Sequence, residues 1–242
     1  VIAVSDFTKK EIVRYYGIGE SKIDVVYQGC DPVFAKDVSD EAKKDVSERH
    51  NLPGRFLLYV GSIEERKNLL LAVKAVVMLH EKGENINIVA VGRSTPYLDE
   101  VVGYAEANGI SHLLHIRHGV NYDDLPVFYK LATAFVYPSR IEGFGIPMLE
   151  AITSGLPAIG CTGSCLEEAG GPTSLYVNPD DVEGMADAIH SVYNDVTLRQ
   201  NMIAQGKEYA RRFDIAKLTS DLYEVYKTVC GSHRGMGPNS LL

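Results

Sequence analysis

The sequence lacks the features that mark several large functional classes. It has no basic excess: Lys and Arg number 24 against 32 Asp and Glu, a formal net charge of −8. A nucleic-acid binder needs a basic surface to displace counterions from phosphates, so that class is excluded. No apolar run approaches the roughly 18–20 residues that span a bilayer, and no stretch reads as a signal peptide. The four cysteines, Cys30, Cys161, Cys165 and Cys230, are too few and too scattered for a disulfide framework. The pair in "CTGSC" is spaced loosely for structural zinc, and the seven histidines show no metal-ligand spacing. We therefore expect reduced thiols, a cytoplasmic protein and no metal. The chain opens on Val1 and not on methionine, which we read as a piece of something longer.

What is present is an alternation of strand and helix signals from residue 55 onward. Apolar runs such as "RFLLYVG", "INIVAVG" and "TAFVYPS" are separated by helical segments such as "NLLLAVKAVVMLHEKG" and "YLDEVVGYAEANG". Strands buried on both faces read as continuous apolar runs, and several here end in glycine, which suits ligand binding at their carboxyl ends. The fold class expected is a doubly wound α/β parallel sheet. The first stretch differs: "VIAVS" is a strand with no partner before it, "DFTKKEIVRYYG" a helix, and "KDVSDEAKKDVSERHNLPG" a polar, charged approach to residue 55. One strand and one helix cannot make a domain. We expect residues 1–35 to be the end of a preceding domain with its linker, 36–212 the main domain, 213–230 a final helix and 231–242 a disordered tail.

The chemistry concentrates in "SRIEGFGIPMLEA", residues 139–151. Pro147 suits the first turn of a helix, and Gly143 and Gly145 permit left-handed or close-approach backbone just before it. The amides of Ile146, Met148 and Leu149 would then leave a positive helix end open to anionic or hydroxyl groups. Glu150 lies about one turn in, where it can accept paired hydroxyls, and Glu142 lies on the strand side. Taken singly, either glutamate reads as an ordinary surface residue, while Met148, Leu149 and Ile152 read as core. A glycosidase pair is excluded, because such carboxylates stand ~5–9.5 Å apart, whereas eight residues of helix separate two groups by ~12 Å. No Lys-Ser/Thr closes the motif as in a P-loop, and Met148 stands where a dinucleotide fingerprint needs glycine. A second cluster, "GSIEERKNLLLAV", puts Arg66 and Lys67 at a helix start after Gly61 and Ser62. Cations are mildly disfavoured there, so their presence points to neutralising a diphosphate. A third segment, "CTGSCLEEAGG", offers Ser164, Glu167 and Glu168 as further lining of the same cleft, with a plain surface loop the equal alternative.

With these residues in view, the chain resembles the donor-binding half of glycosyltransferase family 4, retaining nucleotide-sugar transferases of GT-B fold. The likeness runs from "VIAVSDFTKKEI" and "VVYQGCDPVF" through "YVGSIEERKNL" and "EGFGIPMLEA" to the last helix. It implies a Rossmann-like domain in which Arg66 and Lys67 hold the donor diphosphate and aid its departure. Glu150 would take the ribose hydroxyls, Glu142 would lie by the transferred hexose, and the amides of Phe144, Gly145 and Ile146 would bind sugar and phosphate near Gly61 and Ser62. Catalytic roles fall to Glu142, Arg66 and Lys67, with no metal or other cofactor beyond a UDP- or GDP-sugar donor. The resemblance further implies a glycan or lipid-linked acceptor held by an absent amino-terminal domain, work at the inner face of a membrane, and dimerisation of the piece through uncovered apolar surface. Retention in the family is commonly explained by front-face attack, with a covalent role for Glu142 as the alternative. Departures are Ser62 in place of a common arginine, Gln28 in the hinge, and no proline before Glu167. Other readings are a GT-B epimerase or phosphorylase, and a non-catalytic nucleotide-binding module.

Overall fold

The structure, a computed structural model, describes residues 1–233. A short opening unit holds β1 (Ile2–Ala3), α1 (Asp6–Tyr16) and β2 (Asp24–Val25), the two strands pairing in parallel. Next come α2 (Asp40–Arg49), β3 (Phe56–Val60), α3 (Leu69–Glu81), β4 (Asn87–Val91), α4 (Tyr97–Ala107) and β5 (Leu114–Arg117). Then follow α5 (Leu125–Leu131), β6 (Ala134–Tyr137), α6 (Ile146–Ser154), β7 (Ala158–Cys161), α7 (Leu166–Gly170) and β8 (Leu175–Val177). Three helices close the chain: α8 (Val182–Asn194), α9 (Val196–Ala210) and α10 (Ile215–His233).

β3 to β8 form one six-stranded parallel sheet in the order β5-β4-β3-β6-β7-β8. Counted from β3 this is 3-2-1-4-5-6, the doubly wound order whose direction of winding reverses between its first and fourth strands. Ligands in such sheets bind outside the carboxyl ends of the strands at that reversal, here between β3 and β6. Both strands are apolar throughout and buried on both faces, as their unbroken runs predict. Nine of the thirteen residues of α3 are buried, because α8 and α4 pack against it and its apolar side chains join the core shared with the strands.

Two local expectations change. The polar stretch before residue 55 contains α2, invisible to periodicity because only Val46 reaches the core. It forms instead on local signals: Ser39 caps it by accepting from the Ala42 amide, Asp40 and Glu41 occupy its first turn, and Arg49 its last. The Arg49 guanidinium and His50 then bind the Asp124 carboxylate at 2.6 and 2.9 Å, tying α2 to the start of α5. At the other end α10 continues through Gly231 to His233, into the stretch expected to be a disordered tail; the rest of that stretch lies outside the described residues. The expected apolar surface is present: Val1, Tyr15, Tyr16, Tyr223, Tyr226 and Val229 are all exposed.

Candidate functional site

Two loops meet at the reversal point. β3 runs into Gly61, whose φ of 151° suits glycine, and the residue that follows β4 touches it: a Cβ on Gly92 would stand 1.8 Å from the Gly61 carbonyl oxygen. Arg66 and Lys67 follow in a single tight turn, Glu65–Lys67. Asn68 closes that turn in the left-handed region (φ 57°), and its buried amide donates to Pro179 O at 2.9 Å. From the end of β6 comes Tyr137, and from the loop after it Ser139 and Glu142. The loops are joined through the main chain, Arg140 N donating to Arg66 O at 2.9 Å.

Glu142 sits at the centre. The Tyr137 hydroxyl and Ser139 Oγ each donate to its Oε1 at 2.9 Å, Arg66 Nη1 lies 3.0 Å from Oε2, and Lys67 Nζ lies 3.5 Å from Oε1. Lys67 also donates to the Tyr137 hydroxyl at 2.8 Å, and Arg66 to Ile141 O and to Glu64. Glu142 and Lys67 are each only 14% exposed in their side chains. Burial alone would raise the Glu142 carboxyl, but the Lys67 charge and the hydrogen bonds from Arg66, Tyr137 and Ser139 prevail and hold it below the ordinary range. Burial also keeps the Tyr137 phenol protonated well past its usual range, so it remains a donor. A cavity of about 400 Å³ opens beside this cluster, lined among others by Phe7, Glu11, Tyr15, Arg66, Glu142 and Gly143. Of the cluster, Arg66 and Glu142 line that cavity, joined there by Glu11, while Lys67 Nζ lies 3.5 Å from Glu142.

Glu150 belongs to a separate environment. It lies in α6 and accepts from the buried Tyr129 hydroxyl at 2.8 Å. Burial raises its carboxyl, the Tyr129 hydrogen bond opposes the rise, and the charge of Asp31 adds to it. The two glutamates therefore share no partner, as their spacing predicts. Met148, Leu149 and Ile152 are core.

Other expectations need correction. Met148 N and Leu149 N both donate to Gly145 O, so the helix's own first turn uses them and only the Ile146 amide stays outside that ladder. Gly145 itself fits the role foreseen: its φ is 104°, and a Cβ would lie 2.7 Å from Leu166 Cδ2. The Phe144 side chain is core, its ring 5.6 Å from Tyr27 and 5.3 Å from Phe213, which leaves only its main chain to face a ligand. Ser62 Oγ donates to Glu64. Glu168 does not line the cleft: it accepts from the amides of Asp6 and Phe7 at 2.8 Å and from the Tyr27 hydroxyl, capping α1. Sequence reasoning missed Tyr137, Ser139, Tyr129, Asn68 and Gly92, although "FVYPS" places Tyr137 and Ser139 at a strand's carboxyl end. It also missed Ser5 and Thr8, whose hydroxyls donate to Gly143 O at 2.6 and 2.9 Å. Among the described residues no group of three or more His, Cys, Asp and Glu side chains could hold a metal ion, and no helix is long and apolar enough to cross a membrane.

The chain is similar to known proteins in sequence and in fold. The family model for glycosyl transferases group 1 matches residues 40–209. The chain belongs to that family. Among its relatives, O-antigen chain mannosyltransferase B of Escherichia coli is 27% identical over 94% of this chain and 60% of its own length. O-antigen chain mannosyltransferase RfbU of Salmonella typhimurium is 28% identical over 88% of this chain and 55% of its own. The group 1 chain described here thus spans about 60% or less of the length of these relatives. In fold it is similar to a glycosyltransferase from Rickettsia africae, with TM-score 0.86, 19% identity and 95% and 63% of the two chains covered. It is also similar to Anabaena HepE, solved in complex with UDP-glucose, with TM-score 0.83, 17% identity and 94% and 63% covered. The GT-B, Rossmann-like fold class follows from these neighbours.

Proposed function

We propose that this chain is the donor-binding half of a retaining hexosyltransferase that takes sugar from a UDP- or GDP-sugar. The observation that carries this reading is the Arg66–Lys67–Glu142 cluster at the reversal point of the sheet. Two cations there suit a diphosphate, and their pairing with Glu142 keeps them ordered before a ligand arrives. In this reading Arg66 and Lys67 hold the diphosphate and stabilise the charge that develops as the nucleotide departs. No metal is needed for that task when two fixed cations supply it. Glu150 accepts the ribose hydroxyls, and the main chain of Phe144, Gly145 and Ile146, with Gly61 and Ser62 opposite, contacts phosphate and sugar. Glu142 lies by the hexose; four groups already bind its two oxygens, which favours an orienting and electrostatic role over that of a nucleophile.

Relatives named as mannosyltransferases and a neighbour solved with UDP-glucose support this class, and none of the relatives cited favours an epimerase, a phosphorylase or a binding module. The acceptor, a glycan or a lipid-linked one, would be held by a part of the enzyme beyond this chain, at the cytoplasmic face of a membrane. The exposed tyrosines of α1 and α10 would face that part or, in its absence, a second copy. Isothermal titration of UDP and GDP into Lys67→Ala is the test. Removing one charge-assisted hydrogen bond of ~1.5–3 kcal/mol should weaken binding about ten- to hundredfold. Unchanged affinity would remove the diphosphate assignment, and sugar transfer by these 242 residues alone would overturn the division of the site.

A further inference from the structure

The opposite pole of the sheet carries a second arrangement of charge. Where β3, β6 and β7 begin, a cavity of about 450 Å³ is lined by Arg55, Lys130, Arg199 and Lys207, against the single carboxylate of Asp37. None of these four cations takes part in any of the ion pairs among the described residues. In a chain of net charge −8, an uncompensated group of four is not a random surface.

Three of the four are fixed by main-chain carbonyls. Arg55 and Arg199 both donate to Tyr193 O near the end of α8, the Arg55 guanidinium lying 4.1 Å from the Tyr193 ring centre, and Lys130 Nζ donates to Ser154 O at 2.9 Å. Such bonds use only part of a guanidinium's five N–H groups and one of an ammonium's three, so donors remain. Lys207 lies over Gly155, where a Cβ would stand 2.6 Å from its Cε, and the φ of 76° at Gly155 suits glycine. Ser154 is 5% exposed, and its Oγ has no partner. That oxygen is closed to the cavity, and Ser154 contributes there through its carbonyl, which holds Lys130. Burial, then the like charge of Lys207, lowers the Lys130 ammonium, with Asp37 opposing in part.

We propose that this cavity is a binding site for a phosphorylated small molecule, its phosphoryl group taken by Lys130, Arg199 and Lys207. The volume falls in the ~300–1,000 Å³ range of small-molecule sites and exceeds what a phosphate alone fills. Asp37 and Thr133 on its wall suit the hydroxyls of a sugar phosphate. Ser154 ends α6, about 12 Å from the helix start at Ile146, so the occupant would touch the far end of the helix that carries Glu150.

The test is isothermal titration of a hexose 6-phosphate and of inorganic pyrophosphate into Lys67→Ala protein, which disables the diphosphate cations at the other pole. Binding at one site is expected, about tenfold or more weaker when Lys207→Ala or Arg199→Ala is added to a folded protein, and unaltered by the distant charge control Lys44→Ala. Flotation with phosphatidic acid and phosphatidylcholine vesicles separates the sources. Titration heat with the soluble phosphates identifies a free metabolite. Capture by phosphatidic acid vesicles alone, lost in Lys207→Ala, identifies a lipid headgroup. Absence of both, affinity indifferent to Lys207→Ala and Arg199→Ala, or equal loss in Lys44→Ala would overturn the proposal.

Discussion

Glu142→Gln tests the electrostatics of the site more sharply than removal of a cation does. Glutamine keeps an acceptor for Tyr137 and Ser139 but removes the charge that faces Arg66 and Lys67. A phosphate oxygen accepting from Lys67 at ~2.8 Å would stand within about 6 Å of the Glu142 carboxylate, itself 3.5 Å from the same nitrogen. Two unit charges at that separation repel by ~3 kcal/mol at an effective dielectric of ~20, and by about half that where water screens them. Against this, the carboxylate orients both cations, and a lost hydrogen bond costs ~1 kcal/mol. The difference is on the order of 1 kcal/mol, so UDP should bind Glu142→Gln about three- to tenfold more tightly. Uridine, which has no diphosphate, should bind both proteins alike. The melting temperature should fall by roughly 2–4 °C for each kcal/mol of ion pairing lost. Calorimetry at pH 7 with UDP and uridine reads these effects. A folded Glu142→Gln protein that binds UDP no more tightly than the parent would refute the opposition of charges and leave Glu142 only the task of holding the cations in place.

Three further outcomes are expected. Burial raises the Glu150 carboxyl, so folding gains stability as pH falls through its raised titration, whereas ribose hydroxyls need the ionised acceptor. Nucleotide affinity should therefore fall with pH in that same window, with proton release on binding, and Glu150→Gln should bind weakly with no such dependence; titrations in two buffers from pH 5 to 8 check this. Asp124 has the opposite sign: burial alone would raise it, but Arg49 and His50 hold it low, so its contribution is present at neutral pH and is lost as pH falls through the depressed value. Asp124→Ala should cost ~2–3 kcal/mol, less than a fully buried pair because Arg49 is partly exposed, and should flatten the acid side of stability against pH in urea titrations. Gly92→Ala forces a Cβ to 1.8 Å from Gly61 O, so a loss of ~3 kcal/mol or more, or failure to fold, is expected in thermal melts.

The doubly wound sheet was legible because its strands are buried on both faces and so read as unbroken apolar runs. The roles of Gly145 and Pro147 were legible because backbone geometry admits few residue types at such a turn. What escaped did so for definite reasons. α2 shows one residue to the core and is held by caps and by Asp124, 75 positions from Arg49, so no local pattern betrays it. Glu168 looked like a cleft residue because its partners, the amides of Asp6 and Phe7, lie some 160 positions away. Tyr137 and Tyr129 look like strand and helix apolar residues, and only their hydroxyls, aimed at Glu142 and Glu150, give them a part in the site.

These long-range contacts bear on how the site works as a unit. Arg140 N on Arg66 O joins the two loops, and Glu142 binds the cations of one loop from the other. The next residue, Gly143, offers its carbonyl to Ser5 and Thr8, while Glu168 holds the first amides of α1. A ligand that draws Lys67 away from Glu142 therefore acts on a carboxylate whose neighbouring peptide is already fastened to α1. Since α1 also walls the cavity beside Arg66 through Phe7 and Tyr15, any ligand in that cavity would be mechanically linked to the placement of that helix. On the function proposed above, α1 would then be the element through which donor binding is felt by whatever part holds the acceptor.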